Sequence, residues 1–329
     1  MTLHIFNPET DYALAVGEGP YTPPKHVAAL RQKFALLPSV YAAPKDIILV
    51  TGDFCPEQES NPEFLEAISS KKITIATEEN ISLFLPEIDS VLPWGWNLNL
   101  KRLLTALGVS ADLLPSDSSL GKLRDLAHRR TCIPFRKMLA DKLDLPFYHC
   151  GQELFSLGEV KNFLSVYPYS YFKTPWSSSG RGVVSSTHIS EKGLMEWASG
   201  SISRQGSVLA EPGYNRKLDF ATEWICKDGD PVFLGVSVFK TSPRGKYQGN
   251  ISASQQELSL LITEACPGWD NRFIEAQRET LQKMIAPFYS GAVGIDMLCD
   301  EESNINPCVE INLRITMGHV QIFRYGKEF

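Results

Sequence analysis

The sequence predicts an α/β domain at the N-terminus, followed by an α+β region built on antiparallel strands. Three observations predict it. Short apolar runs alternate with stretches of helical spacing over residues 1–115, the pattern of a small, mostly parallel sheet. A polar, turn-rich stretch, Leu113–Gly121 (LLPSDSSLG), then marks a boundary. Further on, the runs Ala292–Cys299 and Cys308–Ile315 flank the turn-rich DEESNINP, which reads as an antiparallel hairpin with a loop longer than the tight kind.

At 329 residues the chain is long enough for two or three packed lobes. With 43% hydrophobic and 21% charged residues it has the composition of a soluble globular protein. A net charge of -6 opposes a general nucleic-acid or membrane-surface binder. No apolar run approaches the length of a membrane span. The N-terminus carries acidic residues where an export signal needs a basic and then an apolar run. Seven Cys with no CxxC pair complete the expectation of a reduced, cytoplasmic protein.

In chain order, Leu3–Phe6 reads as a strand that ends in a polar turn, and Pro23–Pro24 opens a helix over His26–Leu37. Asp46–Thr51, Lys72–Thr77 and Ser90–Leu92 read as strands, Phe64–Ser69 and Asn99–Leu107 as helices. Ligands of parallel sheets sit beyond the carboxyl ends of the strands, where Asn7, Glu9, Asp11, Trp94 and Asn97 fall. Each has a plainer reading as a turn residue or cap. From Gly121 to Leu145 the spacing is helical, with Arg129 and Arg130 adjacent and Pro134 expected to split the helix in two.

Tyr169–Ser185 runs as a strand into Lys173, a loop Ser177-Ser178-Ser179-Gly180-Arg181-Gly182, and a second strand from Val183. Such a loop can turn successive backbone N–H groups toward an anion, and Lys173 adds a point charge for phosphate. It is neither a Walker loop nor a Rossmann fingerprint. Alone it is most simply a hairpin turn; the acidic hairpin downstream favours phosphate.

Ser207–Phe239 reads strand, connector, then strand–turn–strand about Asp228-Gly229. Glu211-Pro212-Gly213-Tyr214 is expected to interrupt the first strand as a connector whose freed backbone can read a purine edge. Asp219 beyond it suits ribose hydroxyls, or is an ordinary edge-strand charge. Ser242–Ser252 reads as a mobile basic loop with Arg244, Lys246, Tyr247 and Asn250, either covering an anion or simply solvated. Leu258–Ala265 and Arg272–Tyr289 have helical spacing, and His319 starts a helix or meets substrate.

If the last hairpin folds symmetrically about Ser303, Asp296 lies opposite Glu310. Asn312 and Arg314 follow at spacings of two, on the same face of the pleat. Asp and Glu are poor strand residues, and two carboxylates this close repel unless a cation lies between them. Hard oxygen donors suit Mg²⁺ or Mn²⁺. The plainer reading is a wet polar face.

In this order, a strand Lys173, the Ser177–Gly182 loop, Glu211-Pro212, Asp219, Asp296 and Glu310-x-Asn312, the chain resembles the ATP-grasp superfamily of ATP-dependent ligases. The likeness covers about Gly121 to Gly318, and residues 1–115 resemble the small α/β domain that commonly precedes an ATP-grasp core. It implies domains at 1–115, 116–211 and 212–329, the last two being α+β lobes with antiparallel sheets around ATP. Lys173 would contact the α- and β-phosphates, and Ser177, Ser178, Ser179, Gly180 and Gly182 would close over the β- and γ-phosphates. Glu211, Gly213 and Tyr214 would take adenine, and Asp219 the ribose. Asp296, Glu310 and Asn312 would hold Mg²⁺ or Mn²⁺. The family's other phosphate lysine is replaced by Arg129 or Arg130, and an arginine common before the first metal carboxylate is absent, a charge Arg314 can supply. Arg314, Lys173 and Arg244 would serve catalysis. The implied reaction joins small-molecule carboxylate and amine substrates, with a small-molecule kinase or a non-catalytic nucleotide-binding protein as alternatives. A homodimer is compatible with the sequence, as is a monomer.

Overall fold

The computed structural model describes residues 1–52, 61–145, 151–177, 182–242 and 247–324. The chain forms two compact units, Met1–Arg124 joined by the chain's end from Phe323, and Asp125–Ile322.

The first unit is a four-stranded parallel sheet. It contains β1 (Thr2–Ile5), α1 (Thr10–Val16), α2 (Lys25–Lys33), β2 (Ile47–Val50), α3 (Pro62–Lys71), β3 (Thr74–Thr77), β4 (Ser90–Pro93) and α4 (Leu98–Ala106), with α5 (Asp117–Leu126) at its border. The strand order is β3-β2-β1-β4, all parallel. Leu3, Ile5, Ile47, Leu49 and Ala76 pack with Leu100 and Leu104 of α4 into one core. Asn61 caps α3 by accepting from Glu63 N, and Asn97 caps α4 by accepting from Leu100 N.

The second unit starts with α6 (Cys132–Leu143), then β5 (Gln152–Leu154), α7 (Leu157–Val166), β6 (Ser170–Lys173), β7 (Val183–Ser185), α8 (Glu191–Gln205) and β8 (Val208–Pro212). These four strands make an antiparallel sheet in the order β5-β8-β6-β7. Its core joins Phe172, Val208 and Ala210 to Val160 and Phe163 of α7 and Leu194 and Ala198 of α8. A Ser156/Glu159 capping box starts α7.

The larger sheet, order β11-β10-β9-β12-β13, is also antiparallel: β9 (Arg216–Lys227), β10 (Asp230–Thr241), β11 (Tyr247–Asn250), β12 (Gly291–Asp300) and β13 (Ile305–Asn312). The turn between β9 and β10 has positive φ at Asp228 and Gly229, as the tight hairpin type requires. Helices α9 (Gln255–Ala265), α10 (Asn271–Met284) and α11 (Met317–Arg324) complete the unit. Registers divide the sheet by face. Phe220, Thr222, Trp224, Ile295 and Met297 share one face, on which Gln277 of α10 bonds Thr222 and the Met297 sulfur. Asp219, Glu223, Ser237, Asp296, Glu310 and Asn312 share the other.

Several expectations are corrected. Pro134 does not split a helix; it sits in the first turn of α6, where its missing N–H needs no intrahelical acceptor. The break falls instead at residues 127–131. Glu211 and Pro212 do not interrupt their strand but end it, paired with Tyr171 and Ser170. Asp219 lies on no edge, since β9 runs between β10 and β12. The second half of the Ser242–Ser252 stretch is a strand, β11, paired to β10. Arg314 lies past the end of β13.

Candidate active site

The acidic hairpin forms as its symmetry requires at the site and departs from it further out. Asp296 pairs directly with Glu310 and Gly294 with Asn312. A bulge between Asp296 and Leu298 then shifts the register, so that Leu298 faces Asn306. Arg314 turns back over the strand end and donates from Nη2 to the Asn312 amide oxygen at 2.9 Å.

A third carboxylate, Glu223, stands on the same face of β9, opposite Gly294. It is 1% exposed. It accepts from the hydroxyls of Ser237 and Thr316, both at 2.9 Å, and lies 2.9 Å from His319 Nδ1. Burial opposes its charge, yet His319 and these hydroxyls hold it below the usual carboxylate range. His319 is itself buried and donates from Nε2 to the Trp224 carbonyl at 3.0 Å. Two glycines make room here: a Cβ on Gly318 would lie 1.8 Å from Glu223 Oε1, and one on Gly294 2.9 Å from Oε2.

Asp296 is pushed well above the usual carboxylate range, first by burial, then by Glu310 and Glu223, against the pull of Arg314 and Asn312. A divalent cation would relieve that repulsion. Among the described residues no group of three or more His, Cys, Asp or Glu is placed to hold a metal. Two carboxylates and an amide oxygen, completed by phosphate oxygens, are nevertheless the donor set that Mg²⁺ commonly takes. The residues therefore fit the ion.

Basic groups reach the hairpin from the end of β6, from α6 and from the turn before α6. Lys173, the last residue of β6, bonds Glu211 Oε2 at 2.6 Å and approaches the Val309 carbonyl at 3.5 Å, beside Glu310. Arg136 of α6 donates from Nη2 to Glu211 Oε1 at 2.8 Å and from Nε to the Cys308 carbonyl at 2.8 Å. Burial would raise Glu211, but Lys173 and Arg136 hold its pKa down to about 2. Arg129 donates to the Thr174 carbonyl and Ser177 Oγ from Nη1, and from Nη2 to Glu310 Oε1 at 2.7 Å. One buried guanidinium thus links the start of the small-residue loop to the acidic hairpin. At the loop's far end, a Cβ on Gly182 would come within 2.1 Å of Thr174 Oγ1 and 2.4 Å of Ser177 Oγ.

Other expected residues stand differently. Arg130 turns outward, its side chain 48% exposed and near Asp125 and Glu153. Gly213 N–H donates to the Tyr169 carbonyl at 2.8 Å, and the Tyr214 carbonyl accepts from the Tyr169 hydroxyl at 3.0 Å, so both backbone groups are engaged. Asp219 accepts from Thr241 Oγ1 at 2.5 Å and lies 3.4 Å from Arg216 Nη1. Burial lifts its pKa above the ordinary value against those two partners. Ser178, Ser179, Gly180 and Arg244 lie outside the described residues.

Sequence reasoning missed Arg136 and Glu223 and did not choose Arg129 over Arg130. Glu223 had a signal, since it follows Asp219 by four and so shares its face of the strand. Arg136 had a fainter one, seven residues beyond Arg129 on a helical pattern.

No family model matches the chain, and no curated protein matches it. Among solved structures it is similar to biotin carboxylase of Campylobacter jejuni in a β,γ-ATP complex, with a TM-score of 0.56 and 14% identity over 98% of this chain and 69% of that one. It is also similar to N5-carboxyaminoimidazole synthetase of Staphylococcus aureus complexed with ADP, with a TM-score of 0.53 and 12% identity over 96% and 70% of the two chains. A third is the biotin carboxylase domain of Hydrogenobacter thermophilus 2-oxoglutarate carboxylase with MgADP, ADP and bicarbonate, at a TM-score of 0.52 and 16% identity over 80% and 62%. At these identities the likeness is one of fold. A small parallel N-terminal sheet stands before two antiparallel lobes of the ATP-grasp type.

Proposed function

We propose that the chain is an ATP-dependent ligase that activates a substrate carboxylate as an acyl phosphate for attack by an amine or similar nucleophile. The observation that carries the reading is the meeting of groups far apart in sequence: Arg129 holds both Ser177 and Glu310, and Lys173 reaches Val309 beside Glu310. Groups suited to a triphosphate and groups suited to its metal are thereby brought within reach of one another, which supports the reading. Three proteins of similar fold hold adenine nucleotides, one of them as MgADP.

On this reading Lys173 binds the α- and β-phosphates, and the Ser177–Gly182 loop covers the β- and γ-phosphates. Glu211 and the backbone about Gly213 and Tyr214 take adenine, and Asp219 the ribose. Arg129, rather than Arg130, takes the place of the first phosphate cation, because its guanidinium already lies at the loop. Asp296, Glu310 and Asn312 would hold Mg²⁺, which when bound would supply charge neutralisation for the phosphates. A substrate carboxylate oxygen bonds to the γ-phosphorus as ADP leaves, and the nucleophile then displaces phosphate from the acyl carbon. Lys173, Arg314 and Arg244 balance the charge that develops, so the chain's contribution is positioning and electrostatics.

ADP release is measured across a panel of carboxylates and amines, with product identity by mass spectrometry. The expected result is a condensed product, and Glu310→Gln lowers turnover at least about a hundredfold while still folding, as circular dichroism checks. Near-normal turnover by Glu310→Gln sinks the assigned role. A phosphorylated, uncondensed product makes the protein a kinase. ATP·Mg binding without ADP release across the panel makes it a nucleotide-binding protein.

A further inference from the structure

The first unit holds a second constellation that the ligase reading leaves unused. In the strand order β3-β2-β1-β4 the chain runs from β1 to one side and returns on the other, so the carboxyl ends of β1 and β4 border a switch point, where open α/β sheets bind ligands. The two strand ends are tied there: Asn7 Nδ2 donates to the Gly95 carbonyl at 2.7 Å, and Gly95 N–H returns to Asn7 Oδ1 at 3.2 Å. Two residues on stands Glu9, 9% exposed. Its Oε1 bonds Arg31 Nη1 of α2 at 2.9 Å. Gly52, two residues past β2, also lies against this arginine, since a Cβ on it would come 3.3 Å from Arg31 Nη2.

The ion pair satisfies only part of what these groups offer. Glu9 Oε2, Arg31 Nε and the Tyr21 hydroxyl are buried and have no hydrogen-bond partner. Buried polar atoms nearly always have one, because leaving a charged group half-satisfied is costly. Tyr21 belongs to the same cluster: its phenol is held well above the usual range by burial and then by the neighbouring Glu9 carboxylate. The unused capacity is of two kinds, an acceptor with negative charge and a donor with positive charge. Glu9 and Arg31 together are neutral, so the complementary molecule is neutral overall and carries both charges. An ammonium on Glu9 and a carboxylate on Arg31 would give each residue a partner of the sign it already has, and Tyr21 could bond either end.

We propose that Glu9, Arg31 and Tyr21 form a binding site for a small zwitterion of the α-amino acid class. Naming that molecule as a substrate of the ligation rests on the function proposed above; the binding itself does not.

Saturation-transfer NMR on the full chain without nucleotide is run with the twenty proteinogenic L-amino acids. Any that binds is followed by its amide, which lacks the anion, and its 2-hydroxy acid, which lacks the cation. The expected result is at least one binder, with each half-analogue and each of Glu9→Gln and Arg31→Gln weaker by about tenfold or more. Tyr21→Phe carries the test if a charge variant fails to fold. No binder, a half-analogue that binds as well as the amino acid, or folded variants that bind like wild type would each overturn the inference. Calorimetry with ATP·Mg on the same samples separates the two proposals. Amino-acid silence with nucleotide binding intact removes this site alone, and the reverse removes the ligase reading alone.

Discussion

Replacing Glu211 by Gln tests the charge balance on which the second unit is built. The carboxylate lies between Lys173 Nζ at 2.6 Å and Arg136 Nη2 at 2.8 Å, and all three residues are buried. Against burial, the two cations take it from an ordinary 4.5 to about 2. A drop of that size is worth roughly 3 kcal/mol to the folded state. The cost of removing one partner of a buried ion pair, ~3–5 kcal/mol, is of the same order. Gln keeps the volume and one acceptor oxygen but leaves two cations facing a neutral amide. Because the folded pKa is depressed, the contribution is complete above the unfolded value near 4.5 and is lost as pH falls toward 2. Urea unfolding of both proteins at pH 7 and pH 3 measures it. Wild type should exceed the variant by about 3 kcal/mol at neutral pH, and the gap should shrink to about 1 kcal/mol at pH 3. A neutral-pH gap below about 1 kcal/mol, or one that stays open in acid, refutes the reasoning.

Gly182→Ala places a methyl 2.1 Å from Thr174 Oγ1 and 2.4 Å from Ser177 Oγ, so the loop must move. The expected loss is about 1–3 kcal/mol in denaturant unfolding, with weaker ATP binding by calorimetry; an unchanged midpoint would contradict the close approach. Asp296→Asn should act oppositely on stability and activity, because burial, Glu310 and Glu223 all oppose the Asp296 charge. Its unfolding free energy should rise by about 1 kcal/mol while Mg²⁺-dependent turnover is lost, and a variant that is both destabilised and active would show the repulsion to be misjudged.

What could be read from the sequence was whatever a strand's alternation fixes locally. The Asp296–Glu310 pairing followed from two apolar runs and a loop of known length, and held even though a bulge displaced the rest of the hairpin. The parallel N-terminal sheet followed from alternating strand and helix signals. Pro134 and Pro212 were misread because a proline's effect depends on whether its missing N–H had a partner to lose, and at a helix start or a strand end it did not. Glu223 was overlooked because its one local signal, the four-residue spacing from Asp219, says nothing of the support it draws from Ser237, Thr316 and His319, up to 96 positions away.

The choice between Arg129 and Arg130 shows why the remaining site residues lay beyond a sequence reading. The two are adjacent in one short turn, equally basic and equally placed before α6. What separates them is the turn's anchoring: Arg129 N–H donates to the Pro175 carbonyl at 3.1 Å, and Arg130 N–H to His128 Nδ1 at 3.0 Å. The first bond, to the stretch leaving β6, carries the Arg129 guanidinium onto Thr174, Ser177 and Glu310, while Arg130 faces outward. Both determinants are long-range or geometric, so no local pattern could rank the pair. The same holds for Glu211, whose carboxylate is shared by a lysine 38 residues before it and an arginine 75 residues before it. Residue types that suit a triphosphate can be listed from a chain, but which of them meet is decided by the backbone bonds that aim them.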